Sequence, residues 1–238
     1  MKKVIILGGS FGGLVTAFEL GKRLGKKVDI TIVSDQNMFT FIPSLPWVIL
    51  GWKDPEDIVI PLEPLLKSKG ISFIHGEATR IDGKGQKVFV GETELPYDYL
   101  VIATGSRLMP QNIPGMEEGA HWFYDLDGAR KMRDALAEFD GGKIVVNVNA
   151  PHKCPVAPLE ITFMLYDFLT DKGLMDKTEI TYTYPIGRLH ALEPLAEWAK
   201  PAMDEFGIKY ETFFNTKEVD PVAKTISSEE GETLPYDL

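Results

Sequence analysis

The chain opens Lys2-Lys3-Val4-Ile5-Ile6-Leu7 and runs straight into Gly8-Gly9-Ser10-Phe11-Gly12-Gly13. Few local sequences restrict a fold more. A continuous apolar run suits a parallel strand covered on both faces, and the glycines behind it allow a sharp turn. From Leu14 to Leu24 the residues Leu14, Ala17, Phe18, Leu20 and Leu24 approximate a helical stripe, and Lys27 to Val33 (KVDITIV) reads as the next strand. Together they make a βαβ unit of about 30 residues.

Further on, an aromatic and proline-rich loop is expected from Asp35 to Pro55, then a helix from Leu62 to Lys69 and a strand ISFIHG. Short alternating strands with glycine turns from Ala78 to Leu95 form a meander ending in YDYLVIATG, and Pro110, Pro114 and Gly115 mark a linker. The second half predicts a helix over 128–139, a strand KIVVNV, and a helix from Val156 to Leu169. A strand TEITYTY, a helix from Glu193 to Phe206, a strand IKYETFF and a final meander follow. Such alternation argues an α/β fold with parallel sheets. In addition, GETELPYDYL (91–100) nearly recurs as GETLPYDL (231–238), with the Leu-Pro-Tyr-Asp copies 139 positions apart. That spacing is the length of a whole domain, not of a solenoid repeat. The expected architecture is two tandem Rossmann-like three-layer domains, 1–109 and 110–238, the second lacking its C-terminal return segment.

Composition narrows the function classes. With a formal charge of −10 and no run of Lys or Arg, the chain repels phosphate backbones, so nucleic acid is not an expected partner. No apolar stretch reaches the roughly 20 residues of a membrane span, and glycines interrupt the first apolar run without a signal-peptide cleavage site. The expected location is cytoplasmic. Cys154 is the sole cysteine, which excludes an internal disulfide and a multi-cysteine metal cluster. His75, His121 and His190 lack metal-ligand spacing and read as structural or surface residues. No metal site is expected, and neither a Gly-x-Ser-x-Gly elbow nor a P-loop appears.

LGGSFGGL places Gly8, Ser10 and Gly13 where the dinucleotide fingerprint has its three glycines. Gly8 permits the tight turn, Gly13 lets helix and strand approach, and the helix N-terminus offers N–H groups to a pyrophosphate. Ser10 departs from the pattern but is small, and Gly12 adds local freedom. At the end of the second strand, Asp35 or Ser34 is a candidate for a ribose hydroxyl; Asp35 serves equally well as a turn residue.

The matching turn of the second half has no glycine. It reads Asn149-Ala150-Pro151-His152-Lys153-Cys154-Pro155-Val156-Ala157-Pro158, and three prolines remove donors that a pyrophosphate would need. A nicotinamide cofactor is poorly served there. Cys154 instead stands at a helix start beside His152 and Lys153, a setting for a reactive thiol, although cysteine is also a common small buried hydrophobe. Glu160 follows six residues on. The aromatic residues Phe39, Phe41, Trp47 and Trp52 are read first as packing of the long loop, with contact to a flavin or quinone as the alternative.

Four segments carry a family resemblance: LGGSFGGL, FIPSLPWVILGWKDPEDIVIPLEPLLKSKGISFI, YDYLVIATG and PHKCPVAPLE. The chain resembles sulfide:quinone oxidoreductases and the related flavoprotein subunits of sulfide dehydrogenases. The first and third segments occur across flavoproteins with two dinucleotide-binding domains; the second and fourth are more specific. The resemblance implies FAD, with Gly8, Ser10, Gly12 and Gly13 at its pyrophosphate, Ser34 near the adenosine ribose and Ala78 at the adenine. It places Pro43 against the isoalloxazine, with Ala103, Thr104 and Gly105 closing the site. Cys154 would be a redox cysteine, Glu160 an acidic residue that manages protons, and sulfide and quinone the substrates. A second cysteine of the family cycle lies beyond residue 238 in its members, and AHWFYDLDGARK lacks the third that some carry. Membrane contact, peripheral in kind, is expected only through the missing part, and a homo-oligomer is expected. Rival readings are an NAD(P)H-dependent flavin disulfide reductase or type II NADH dehydrogenase, and a non-catalytic flavoprotein fragment needing a second half.

Overall fold

A computed structural model describes residues 1–238. The chain forms two compact units, one of residues 1–42 and 55–107, the other of residues 43–54 and 108–238. The sequence places the boundary at 109/110; the units divide between Arg107 and Leu108, and Pro43 to Asp54 crosses into the second.

In the first unit, β1 (Lys2–Leu7), β2 (Val28–Ser34), β5 (Ser72–His75) and β9 (Tyr99–Ile102) form a parallel sheet in the order β5-β2-β1-β9. Alternate residues of the strands face opposite layers. Val4, Ile6, Ile30 and Ile32 pack with Leu14 and Ala17 of α1 (Phe11–Leu24) and with Leu62 and Leu66 of α3 (Leu62–Lys67). Ile5, Leu7 and Val33 pack with Val88 on the other face, under the antiparallel meander β6 (Ala78–Asp82), β7 (Lys87–Val90) and β8 (Thr93–Pro96). Helices, parallel sheet and meander are three layers, which is why β1 must be apolar at every inward position.

The stretch expected as a loop from Asp35 to Pro55 is partly ordered into elements. β3 (Met38–Thr40) pairs antiparallel with β4 (Val59–Pro61) in the first unit, and α2 (Leu45–Ile49) packs on α5 (Leu126–Glu138) in the second. Elements of three to five residues are too short to show periodicity, so sequence pattern misses them. Phe39 is buried with Phe11 edge-on at 5.0 Å, but Trp47 and Trp52 remain largely exposed, so only part of the aromatic group packs the loop.

The second unit repeats the plan. β10 (Gly142–Asn147), β11 (Thr178–Tyr184) and β12 (Lys209–Thr212) are parallel in that order, flanked by α6 (Val156–Asp171) and α7 (Glu193–Glu205); a one-turn α4 (Met116–Gly119) lies in the expected linker. Its meander is β13 (Thr216–Asp220), β14 (Thr225–Ser228) and β15 (Thr233–Pro235), packed through Phe214, Val219, Ile226 and Tyr236. No helix is long and apolar enough to cross a membrane.

The two Leu-Pro-Tyr-Asp copies do the same work in each unit. Lys3 N–H donates to Asp98 Oδ2 at 2.7 Å and Asp98 N–H to the Lys3 carbonyl; Lys143 N–H donates to Asp237 Oδ2 at 2.8 Å and Asp237 N–H to the Lys143 carbonyl. Each aspartate thereby docks the end of the meander onto the first strand of its sheet. The likeness extends further back. Tyr97 and Tyr236 N–H groups donate to the carbonyls of Gln86 and Lys224, both left-handed, and Asp82 and Asp220 each close the preceding hairpin by accepting two backbone N–H groups. The meander hairpins share almost no sequence beyond that aspartate, yet the same backbone hydrogen bonds and left-handed residue recur in each.

A pH dependence follows. Hydrogen bonds from Lys2 and from the Lys3 N–H hold the Asp98 carboxyl below the usual carboxylate range. A lowered folded-state value stabilises above the unfolded value and is lost as pH falls through the folded one, below about pH 4. The melting temperature of wild type should therefore exceed that of Asp98→Asn at pH 7, with the gap closing toward pH 2; a gap independent of pH would refute the role of the charge.

Candidate functional site

The glycine-rich turn of the first unit is built by close backbone approaches. Gly8 N–H donates to the Val33 carbonyl at 2.8 Å, and Gly8 sits at φ +106° with a would-be Cβ 2.2 Å from the Ala103 carbonyl oxygen. At Gly13 a Cβ would lie 1.9 Å from the Gly8 oxygen. Gly9 is also crowded, but by side chains, with a would-be Cβ 2.6 Å from Leu62 Cδ1 and 3.1 Å from Ser34 Oγ, a closeness that the fingerprint does not include. Gly12 has only ordinary contact with Ala103.

Ser10 is the N-cap of α1, yet its hydroxyl caps nothing, and no acidic residue lies in the first turn. The first N–H groups of the helix have no intrahelical partners, so this end presents donors and a positive dipole to an anion. Ser34 is 5% exposed and its hydroxyl accepts the Gln36 N–H, whereas the Asp35 carboxylate is exposed and its carbonyl meets His75 Nε2. Ala78 begins β6 under the sheet. Ala103 N–H donates to the Leu7 carbonyl, extending the β9 pairing past the turn, and Thr104 and Gly105 beyond it are exposed. The structure thus gathers Gly8, Gly9, Gly13, Ser34 and Ala103 at the carboxyl ends of parallel strands. That is where α/β sheets bind ligands. Backbone that only glycine tolerates, next to an uncapped helix start, fits the pyrophosphate of a dinucleotide such as FAD.

In the second unit, Cys154 lies one residue before Pro155, the N-cap of α6, and is half-buried and unpaired. Pro155 and Pro158 contribute no N–H to this helix start, which no side chain caps. Glu160 is exposed in the second turn of α6, and Pro43 is exposed in the short turn before α2.

Residues that sequence reasoning had not linked converge on the Cys154 loop. Tyr124 Oη donates to the Cys154 carbonyl at 2.8 Å. The His152 ring stands edge-on to Tyr184 at 6.2 Å, and His190, 0% exposed, lies nearly parallel to Tyr184 at 6.2 Å. His190 Nδ1 accepts the Leu192 N–H, and burial holds its imidazole below the usual range, so it is neutral at pH 7. His152 Nδ1 and His190 Nε2 are buried without a hydrogen bond of good geometry, although the Pro155 carbonyl lies near enough to His190 to favour its charged form. A largely apolar cavity of about 300 Å³ runs along β10, walled by Met116, Trp122, Tyr124, Val146, His152 and Leu238. The one available signal was TEITYTY, whose period of two puts Tyr182 and Tyr184 on one face.

Two Rossmann-like α/β units, the first with a dinucleotide-type glycine turn and the second with a cysteine in the corresponding corner, define a dinucleotide-dependent oxidoreductase class. The family model for pyridine nucleotide-disulphide oxidoreductases matches residues 2–147, and the chain belongs to that family. Among curated proteins it is 33% identical over 184 residues to a sulfide-quinone reductase of Aquifex aeolicus, covering 76% of this chain and 42% of that protein. It is 29% identical over 150 residues to an external alternative NAD(P)H-ubiquinone oxidoreductase of Arabidopsis thaliana, covering 58% and 25%. The crystal structure of the Aquifex aeolicus sulfide:quinone oxidoreductase superposes with a TM-score of 0.92 at 28% identity over all of this chain and 57% of that one. NDH2 of Plasmodium falciparum superposes at 0.77 with 24% identity, a likeness of fold. The chain spans about half or less of the length of these relatives.

Proposed function

We propose that this chain supplies the FAD-binding and sulfur-handling units of an enzyme that oxidises sulfide and passes the electrons to quinone. The observation that carries this reading is the corner of the second unit. Where a nicotinamide-binding unit needs glycines and free N–H donors, this chain has prolines, Cys154 and neighbouring His152 and Lys153. FAD, when bound, supplies a two-electron acceptor. The roles of the protein are to hold it and to carry sulfur.

Gly8, Ser10, Gly12 and Gly13 would hold the pyrophosphate, Ser34 and Asp35 the ribose, and Ala78 the adenine. Pro43, Ala103, Thr104 and Gly105 would border the rest of the cofactor. Cys154 carries the sulfur: hydrosulfide attacks Cys154 Sγ where it is bonded to a second sulfur, the new Cys154 Sγ–SH bond forms as the old S–S bond breaks, and that second sulfur leaves as a thiolate. Cys154 is the sole cysteine, so the displaced sulfur is a thiol from another segment or a polysulfide. Glu160, exposed on α6, would take or return the proton of hydrosulfide. Attachment to a membrane surface and self-association belong to this proposal.

The rival reading draws on the similarity to NAD(P)H-ubiquinone oxidoreductases. Anaerobic visible spectra of the FAD-loaded chain separate the two. Sulfide is expected to bleach the flavin within the mixing time of a manual experiment and NADH to leave it oxidised; the reverse pattern would install the rival.

A further inference from the structure

The helix that follows Cys154 begins with almost nothing to hold it. Pro155 has no side-chain acceptor, and no acidic residue sits in the first turn of α6. A residue ahead of such an end would ordinarily move with its loop. Cys154 is tied instead to the start of a different helix.

Tyr124 stands one residue before the N-cap of α5, as Cys154 stands one residue before the N-cap of α6. The α5 start, unlike the other, is firmly closed. Asp125 Oδ1 accepts the Gly128 N–H at 2.7 Å, Asp125 Oδ2 accepts the Trp122 indole N–H at 3.2 Å, and Gly128 packs so tightly that a Cβ would lie 2.4 Å from the Trp122 carbonyl oxygen. Phe123 stacks on Tyr124 with centroids 5.3 Å apart. The Tyr124 hydroxyl is thus a fixed point, and its 2.8 Å bond to the Cys154 carbonyl transfers that fixity across 30 residues of sequence. The His152 ring of the same loop meets Tyr184, which in turn packs against His190.

We infer that Tyr124 is a positioning residue for Cys154: its hydroxyl holds the Cys154 carbonyl and so sets the direction in which the thiol is presented. The importance of that direction rests on the proposed sulfur chemistry of Cys154; the tie itself does not. Burial, and secondarily the charge of a Cys154 thiolate, push the Tyr124 phenol far up, so it remains a donor at any pH at which the protein is handled. Arg188 of the His190 loop bonds the Ala191 carbonyl.

Because Cys154 is the sole cysteine, two labels report on it alone. Cysteine carrying 13C at its carbonyl gives one resonance, and iodoacetamide modifies one thiol. In Tyr124→Phe the resonance should move upfield as the hydrogen bond is lost, and the alkylation rate should change at least threefold. Flavin bleaching by sulfide should slow about tenfold, the kinetic equivalent of one neutral hydrogen bond. The melting temperature should fall by only about 2–4 °C, since the ring remains packed. Tyr166→Phe, later in α6 with its ring against Phe206, should leave all of these at wild-type values. An unmoved resonance would overturn the tie, and a moved resonance with unchanged alkylation and bleaching would overturn the positioning role. If resonance and alkylation respond but wild type itself is not bleached by sulfide, the tie stands and the sulfide reading fails.

Discussion

Replacement of Cys154 by alanine is expected to abolish sulfide-dependent bleaching of the flavin, lowering its rate by on the order of 10³-fold or more, because no other side chain in the sequence can bond sulfur covalently. The fold should survive. Cys154 is half-buried and only its backbone carbonyl is in a hydrogen bond, so loss of one sulfur atom should cost less than about 1.5 kcal/mol. FAD content should match wild type, since the glycine turn belongs to the first unit. Stopped-flow absorbance under anaerobic conditions, with FAD quantified per chain, separates loss of chemistry from loss of cofactor. Bleaching at an undiminished rate in Cys154→Ala would mean that sulfide reaches the flavin without a sulfur carrier.

Substitution of Gly13 by alanine is expected to lower stability by about 3 kcal/mol or more, because its Cβ would meet the Gly8 carbonyl oxygen at 1.9 Å, and a backbone atom cannot step aside as a side chain can. For a chain of this size that is a fall of roughly 6–12 °C in melting temperature. Gly8→Ala should be as damaging for two reasons at once, the approach to the Ala103 oxygen and a backbone at φ +106°. Gly12→Ala supplies the contrast. Its Cβ finds ordinary contact, and alanine is the better helix former by about 1 kcal/mol, so the apoprotein should be no less stable. If the first turn of α1 cradles a pyrophosphate, the same methyl should still weaken FAD retention. Thermal melts of the apo and FAD-loaded variants decide the matter: a Gly12→Ala protein that binds FAD like wild type would remove that turn from the site. Ser10→Ala should leave apo stability within about 0.5 kcal/mol, since its hydroxyl makes no cap bond.

The elements of each unit were legible because their signals are local. An all-apolar run such as Val4 to Leu7 followed at once by glycines reads as a strand covered on both faces, and the stripe from Leu14 to Leu24 as a helix, and the core of the first unit packs them against each other. Three-residue strands such as Met38–Thr40 escaped because they exist only through pairing with Val59–Pro61. The glycine turn was read correctly at Gly8 and Gly13, while Gly9 was missed: what it approaches, Leu62 and Ser34, arrives from other elements.

The duplication shows the same division. Leu-Pro-Tyr-Asp could be seen twice in the letters, and the domain-length spacing already argued two related units. That Asp98 and Asp237 both dock a meander onto a first strand, and that Gln86 and Lys224 share a left-handed turn without sharing a residue type, required coordinates. Backbone geometry is conserved by hydrogen bonding to main-chain groups, which many sequences satisfy.

Chain order and short-range pattern were enough to establish an α/β protein with two Rossmann-like units, a dinucleotide-type turn in the first and a lone cysteine before a proline-rich helix start in the second. What folding in three dimensions added was the company of that cysteine. Tyr124, Tyr184 and His190 stand about 30 residues or more from Cys154 along the chain, and no periodicity links them to it. They meet the Cys154 loop because the starts of α5 and α6 and the end of β11 are brought together by packing onto one sheet, and burial of that sheet, not local propensity, is what selects the arrangement.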